Sequence, residues 1–419
     1  MAKYKDFDDD YDYDDEEEIY EETYRDKKKH LREEAYTDEV EYGRRQKAPK
    51  KRKGIKRWVL ALIFVVEIIL LLVLLLVYYI IGKINMIEYT PINKDAIVIN
   101  PDIDKDYTEE VLDGYTNILL LGTDIRDNAS KDVLFKVGEN HTDSIIVASI
   151  NNKTKEVRLV SVYRDTILQM SDVNNAGEPK FDKATEAIFW YGIESAISMI
   201  NVNLDLDIQD YIMVNWEALI QIIDAVGGID LEINDTELYW INAYLHDTSE
   251  NTGRDFEYVE HSGFVHLDGI QATSYCRIRY GGGSDYRRTE RQRTVIGLVL
   301  EKAKSIDITQ INSAINSIFG NVATSLELSE IFDLAKSVTS YSLTDTAGLP
   351  FSLTDQIQYP AGLPNITDPV FPTTLEDSVV ELHKFLFGTE NYSVSDTVKS
   401  ISDEIAAIVA AGKRKENDF

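Results

Sequence analysis

The chain has 419 residues, 44% of them hydrophobic, so most of its length can bury a core. Its formal net charge is −30, and a fold this acidic repels nucleic acid unless a local basic patch overcomes the field. With one Cys no intrachain disulfide can form, and cysteine usage leaves the redox compartment open.

The charge is unevenly spread. Residues 1–41 hold 18 acidic and 7 basic side chains, a net of −11. They show no apolar periodicity, which predicts a disordered acidic tail over 1–43. Residues 44–57 form a basic juxtamembrane block of nine Lys or Arg without an acid, so the remaining residues carry −28. Trp58 to Ile81 is an almost unbroken apolar run. As a helix it would span roughly 36 Å, more than the ~30 Å hydrocarbon core of a bilayer. It starts too late and is too long for a signal peptide, and a single carboxylate, Glu67, is tolerable in such a span. The basic block precedes the run and nothing comparable follows it. The positive-inside rule therefore predicts a single-pass cell-membrane protein with a cytoplasmic N-terminus and an extracellular domain, its basic block touching anionic membrane lipid.

After a polar linker over 82–113, strand and helix patterns alternate through 114–410, and 411–419 read as a short tail. This predicts one α/β domain. Asn117–Leu121 reads as a buried strand. Ile145–Ile150 and Val157–Val162 read as a hairpin turning at Asn151–Thr154. Lys183–Ile200 has helical periodicity. Tyr211–Val214 is a strand, Trp216–Ala225 a helix stopped by Gly227-Gly228, and Ile229–Ile233 a strand. Residues 239–263 read as a long polar loop, Ala272–Tyr280 as a strand and Arg288–Lys304 as a helix. Two further helices are predicted over Glu376–Phe387 and Val398–Ala411.

Chemistry is signalled most strongly by Arg277, Arg279, Arg287, Arg288, Arg291 and Arg293, six arginines and no lysine within 17 residues. Arginine suits planar, bidentate contact with phosphate. On the predicted strand Arg277 and Arg279 share a face, with Cys276 and Ile278 turned to the core. On the following helix Arg288 and Gln292 share a face. A solvated basic face is the bland alternative. If Ile150 pairs with Val157, the same register sets Asp143 opposite Arg164. Asp143, Arg164 and Asp165 then cluster at the hairpin's open end. Asp124 lies just past a strand's carboxyl end, where open α/β sheets bind ligands. Two carboxylates near several arginines suit Mg²⁺ bridging phosphate oxygens. Taken singly, each carboxylate is more readily a cap or an ion-pair partner.

These segments come in a familiar order: Asn117–Asp124, Thr142–Ser144, Ser161–Thr166, Val226–Asp230, Leu267–Ala272, Tyr275–Arg279 and Asp285–Gln292. Over about 115–305 the chain resembles the LytR-CpsA-Psr family. The resemblance implies an α/β/α sandwich with a central mixed sheet and an apolar tunnel for a prenyl chain. It implies a membrane-anchored, metal-dependent phosphotransferase of Gram-positive cell-wall biogenesis. Such an enzyme moves a glycopolymer with one phosphate from an undecaprenyl-pyrophosphate carrier to a peptidoglycan hydroxyl. By matching motif, Asp124 and Asp143 would hold Mg²⁺ or Mn²⁺, and Arg164, Arg277, Arg279, Arg288 and Gln292 would hold the pyrophosphate. Asp165 or Asp143 would take the acceptor's proton. The sequence departs from the family pattern at His141, where Arg is usual, and at Tyr163, where Pro is usual. Two rival readings are a polyprenyl-pyrophosphate hydrolase and a non-catalytic lipid-phosphate-binding regulator of the cell envelope.

Overall fold

The computed structural model describes residues 88–89, 92–123, 141–173, 177, 179–280, 284–306, 321–354, 357–360, 362–363 and 366–414. The acidic tail, the basic block, the apolar run at 58–81 and Asp124 lie outside them. Among the described residues no helix is long and apolar enough to cross a membrane.

Strand β1 (Glu88–Tyr89) precedes helix α1 (Lys105–Glu110), whose cap Asp104 accepts from the Tyr107 amide. Strands β2 (Tyr115–Thr123), β3 (Thr142–Asn151) and β4 (Glu156–Val162) pair antiparallel in sequence. The β3–β4 turn is fixed by the Asn151 side chain, which accepts from the amides of Lys153 at 3.0 Å and Thr154 at 2.9 Å. Ile150 pairs with Val157, as expected.

A small hairpin of β5 (Ile167–Val173) and β6 (Pro179–Lys183) leads to helices α2 (Glu186–Tyr191) and α3 (Ile193–Leu204). The helix expected over Lys183–Ile200 is therefore two, because Gly192, at φ 86°, ends one and starts the next. Strand β7 (Asp210–Val214) runs parallel to β2. Helix α4 (Trp216–Ala225) follows, capped by Asn215, and strand β8 (Ile229–Ile233) comes after Gly227-Gly228.

The stretch read as a polar loop over 239–263 is mostly helix α5 (Asp235–Thr252), started by a reciprocal capping box between Asn234 and Glu237. Strand β9 (Gly263–Leu267) pairs with β8. The stretch read as a strand over 272–280 is instead helix α6 (Gly269–Cys276), with a capping box between Asp268 and Gln271. Helix α7 (Ser284–Ala303), strand β10 (Val322–Thr324), helix α8 (Leu328–Lys336), strand β11 (Ser342–Leu349) and helices α9 (Leu375–Phe387) and α10 (Asp396–Ala411) complete the described elements that matter here.

The central sheet is mixed, ordered β1-β10-β7-β2-β3-β4-β11. Its period-two alternation splits the core. Leu119, Leu121, Ile145, Val147, Val160 and Val162 face one side, with α3, α9 and α10. Leu120, Ile146, Ala148, Val157 and Leu159 face the other, with Ile296 and Leu300 of α7 and Leu334 of α8. The observed fold is thus α/β with helices on both faces of the sheet. Ile103 and Leu112, within the stretch read as a linker, are buried in the first core.

Candidate active site

A cavity of about 620 Å³ opens beside the carboxyl ends of β2 and β7, under α4, α6 and α7. Its interior is apolar, built by Leu120, Ile146, Ile212, Leu219, Val295 and Val299 among others. Its charged and polar lining includes Asp143, Arg164, Arg277, Arg279, Arg288 and Gln292. Asp143, Arg164, the Arg277–Arg279 turn and the Arg288–Gln292 helix face, four segments, therefore converge on one cavity. An apolar pocket with a few convergent polar groups is the usual form of a small-molecule site.

Asp143 is the hub. The β3–β4 register carries past Val162 and brings Arg164 Nη1 into an ion pair with Asp143 Oδ1. Arg279 Nη2 lies 3.4 Å from Asp143 Oδ2 and Arg288 Nη1 lies 3.8 Å from it. Arg288 Nη2 also donates to the Asp143 backbone carbonyl at 3.0 Å and to Asp285 Oδ2 at 2.9 Å. Arg279 Nε stands 3.7 Å from Asp285 Oδ1. Asp285 was part of a recognised motif but was not read as a site residue. Its signal was the i, i+3 spacing to Arg288 on one helix face.

Burial shapes these charges. Arg288 is 2% exposed, and burial pulls its pKa below the usual value against the opposing pull of Asp285 and Asp143. Burial also works against Arg164, but Asp143, Asp165 and Asp285 outweigh it and hold its pKa above the usual value. Arg288 Nε and Gln292 Oε1 are buried without a hydrogen-bond partner among the described residues. Orphaned polar atoms beside a cavity are what a site awaiting a polar ligand presents.

Arg277 is reached differently from the expectation. It caps α6 rather than lying on a strand. Its guanidinium stacks 3.7 Å over the Trp216 ring and 5.1 Å from the Tyr244 ring. It donates to Thr248 Oγ1 at 2.7 Å and pairs with Asp247. Trp216 and Tyr244 escaped the sequence reading. For Trp216 the available signal was position, since it opens the helix that follows a parallel strand. Cys276 and Ile278 are buried, as expected. Burial pushes the Cys276 thiol up to about 12, so it is a protonated wall and no nucleophile.

Among the described residues Asp165 joins the predicted cluster only through Arg164. It pairs with Lys183 Nζ at 2.7 Å and with Arg164 Nε at 3.8 Å, and it is absent from the cavity lining. The other arginines of the run also lie elsewhere. Arg291 pairs with Glu237 at 3.0 Å and Arg287 with Glu290 at 3.3 Å. His141 stacks on Phe189 at 4.2 Å and lies 3.5 Å from Glu186. For a divalent cation, Asp143 supplies hard carboxylate oxygens of the kind Mg²⁺ prefers, and these oxygens face Arg164, Arg279 and Arg288. Asp124, the second carboxylate expected to hold the ion, lies outside the described residues, and among those described no group of three or more His, Cys, Asp or Glu stands together to hold a metal.

The family model LytR_cpsA_psr matches residues 87–355. The polyisoprenyl-teichoic acid–peptidoglycan teichoic acid transferase TagU of Bacillus cereus is 28% identical over 294 residues, 68% of this chain and 84% of the relative. Biofilm regulatory protein A of Streptococcus mutans is 29% identical over 238 residues, 54% of this chain and 56% of the relative. Among solved structures, protein gbs0355 from Streptococcus agalactiae has a TM-score of 0.55 at 23% identity, over 70% of this chain and 95% of that one. TagT bound to LI-WTA has a TM-score of 0.50 at 20% identity, over 72% and 100%. At these identities the structural likeness speaks to the fold.

Proposed function

Because the chain belongs to the LytR-CpsA-Psr family, we propose that it transfers a glycopolymer with one phosphate from an undecaprenyl-pyrophosphate carrier to peptidoglycan. The observation that carries this reading is a cavity whose wall joins an apolar stretch to four arginines, Gln292 and Asp143. A ligand that is apolar at one end and doubly anionic next to it matches that order. The names of the TagU relatives support the polymer and the acceptor.

Arg164, Arg277, Arg279 and Arg288 bind the pyrophosphate and stabilise charge as the phosphoryl group moves. Gln292 orients it. The apolar walls hold the prenyl chain and exclude water from the leaving group. Three guanidiniums, those of Arg164, Arg279 and Arg288, are turned onto Asp143, which gathers them at one place. Of the two candidate proton acceptors, Asp143 lines the cavity and Asp165 does not. That position supports Asp143 as the acceptor of the peptidoglycan hydroxyl's proton, with Asp165 orienting Arg164. Mg²⁺ or Mn²⁺ held by Asp143 with Asp124 would neutralise phosphate oxygens. A single pass through the cell membrane at 58–81 would bring the extracellular cavity within reach of a lipid carrier.

The test is attachment by the purified full chain. Arg164→Ala and Asp143→Ala should each lower polymer attachment to peptidoglycan by at least 10²-fold, as loss of one such charge-stabilising group does elsewhere. Unchanged attachment would refute the site. Release of free polymer phosphate in place of attached polymer would identify a hydrolase.

A further inference from the structure

Connectivity orders the ligand along the cavity. On the reading above, on which this inference rests, the prenyl chain lies inside and the pyrophosphate at the arginines. The first sugar, bonded to the distal phosphate, then has to lie outside the mouth. What stands there is aromatic. Tyr280 follows Arg279 directly, lines the mouth and is 60% exposed. Its ring lies 4.9 Å from Trp240 at an interplanar angle of 32°. Trp240 in turn meets Tyr239 at 5.1 Å and Tyr244 at 6.1 Å. Tyr239 is 66% exposed. The rings thus run from the Arg277 guanidinium, over Tyr244, out to solvent.

We propose that Tyr280 and Trp240 form a carbohydrate-stacking platform for the sugar bonded to the carrier's distal phosphate, with Tyr239 set edge-on beside Trp240 at 83°. Tyr and Trp offer a flat apolar face with a polar edge, which suits a ring whose C–H face is apolar and whose rim is hydroxylated. Both exposed large hydrophobics of this patch are Tyr, and neither is aliphatic. The charge argues against the other occupant such a patch invites, an anionic bilayer surface. Helix α5, which carries Tyr239 and Trp240, has Asp235, Glu237, Asp247 and Glu250 and no Lys or Arg, and such a helix is repelled by anionic headgroups. A neutral sugar meets no such penalty. The platform begins one residue from Arg279, so it is continuous with the anion site.

The experiment uses the full chain in nanodiscs and two probes, farnesyl pyrophosphate with and without an N-acetylhexosamine on its distal phosphate. The wild type should bind the sugar-bearing probe about tenfold more tightly, the scale of one well-placed aromatic contact. Tyr280→Ala and Trp240→Ala should remove most of that ratio, and Trp240→Phe should keep part of it. The ratio is the readout because general misfolding weakens both probes together. A ratio unchanged in the Ala variants overturns the platform. Binding of the sugar-free probe with no sugar increment in the wild type overturns the platform alone. Failure to bind the sugar-free probe overturns the anion site and the platform with it. Quenching of Trp240 by spin-labelled lipid, taken as the difference from Trp240→Phe, would place the patch in the bilayer and also overturn it.

Discussion

Arg288 carries more of the site than its place in a six-arginine run suggests. It is buried, donates to the Asp143 carbonyl and to Asp285, and keeps Nε without a partner among the described residues. A buried guanidinium of this kind is retained for what it binds, because its own desolvation is unfavourable. Arg288→Gln should weaken binding of a prenyl pyrophosphate by about 30- to 150-fold, the worth of one hydrogen bond to a charged group at ~2–3 kcal/mol. Isothermal titration measures this, and an unchanged circular dichroism spectrum separates it from unfolding. The Asp143–Arg164 pair was legible because strand register is arithmetic: once Asn151 fixes the turn, opposite residues keep a constant sum. Trp216 and Tyr244, which stack on the Arg277 guanidinium, and Tyr280, which meets Trp240, were not legible, because ring contacts between distant segments leave no spacing pattern in one sequence.

Helices α5 and α6 show why local reading failed where it did. Helix α5 has three buried residues, Ile241, Leu245 and Thr248, so its apolar stripe is too thin to stand out against its polar composition. Helix α6 fails the opposite way. Every residue from Gly269 to Cys276 except Gln271 is buried, which erases the 3.6-residue contrast on which a helix reading depends. In both, the legible signal was the cap, Asn234 with Glu237 and Asp268 with Gln271. Strand β11 poses a related problem at long range. It pairs parallel to β4, a partnership nearly two hundred residues apart that no local pattern encodes. Its fit depends on Gly348, where an added Cβ would overlap the Tyr163 hydroxyl and ring. Gly348→Ala should therefore destabilise the fold by about 1–3 kcal/mol, as overpacking does. In a Tyr163→Ala background the same change should become nearly neutral. Chemical denaturation of the four variants of this cycle measures the coupling.

The whole molecule depends on its last hundred residues more than the extent of the family match at 87–355 would suggest. Helices α9 and α10 bury Leu375, Val379, Leu382, Leu386, Val398 and Ile401 in the same core as β2, β3 and β4. They are bolted by buried polar groups. His383 Nδ1 bonds the Tyr107 hydroxyl at 2.7 Å, and its Nε2 bonds the Leu204 carbonyl at 2.9 Å. Its ring stacks on Tyr392 at 3.7 Å. Burial lowers the His383 pKa from 6.5 to about 4, so the fold holds a neutral imidazole. The unfolded chain binds a proton near 6.5 that the folded chain refuses until about 4. Stability supplied by this residue is thus complete above 6.5 and is lost as pH falls through that window. The loss amounts to about 3 kcal/mol at its lower end. Thermal unfolding of the wild type should show this fall between pH 6.5 and 4. In His383→Gln, which keeps one donor and one acceptor but does not titrate, the fall should shrink by that amount. An equal fall in both proteins would mean that carboxylates elsewhere carry the pH dependence and that His383 ties the helices to the sheet without sensing protons.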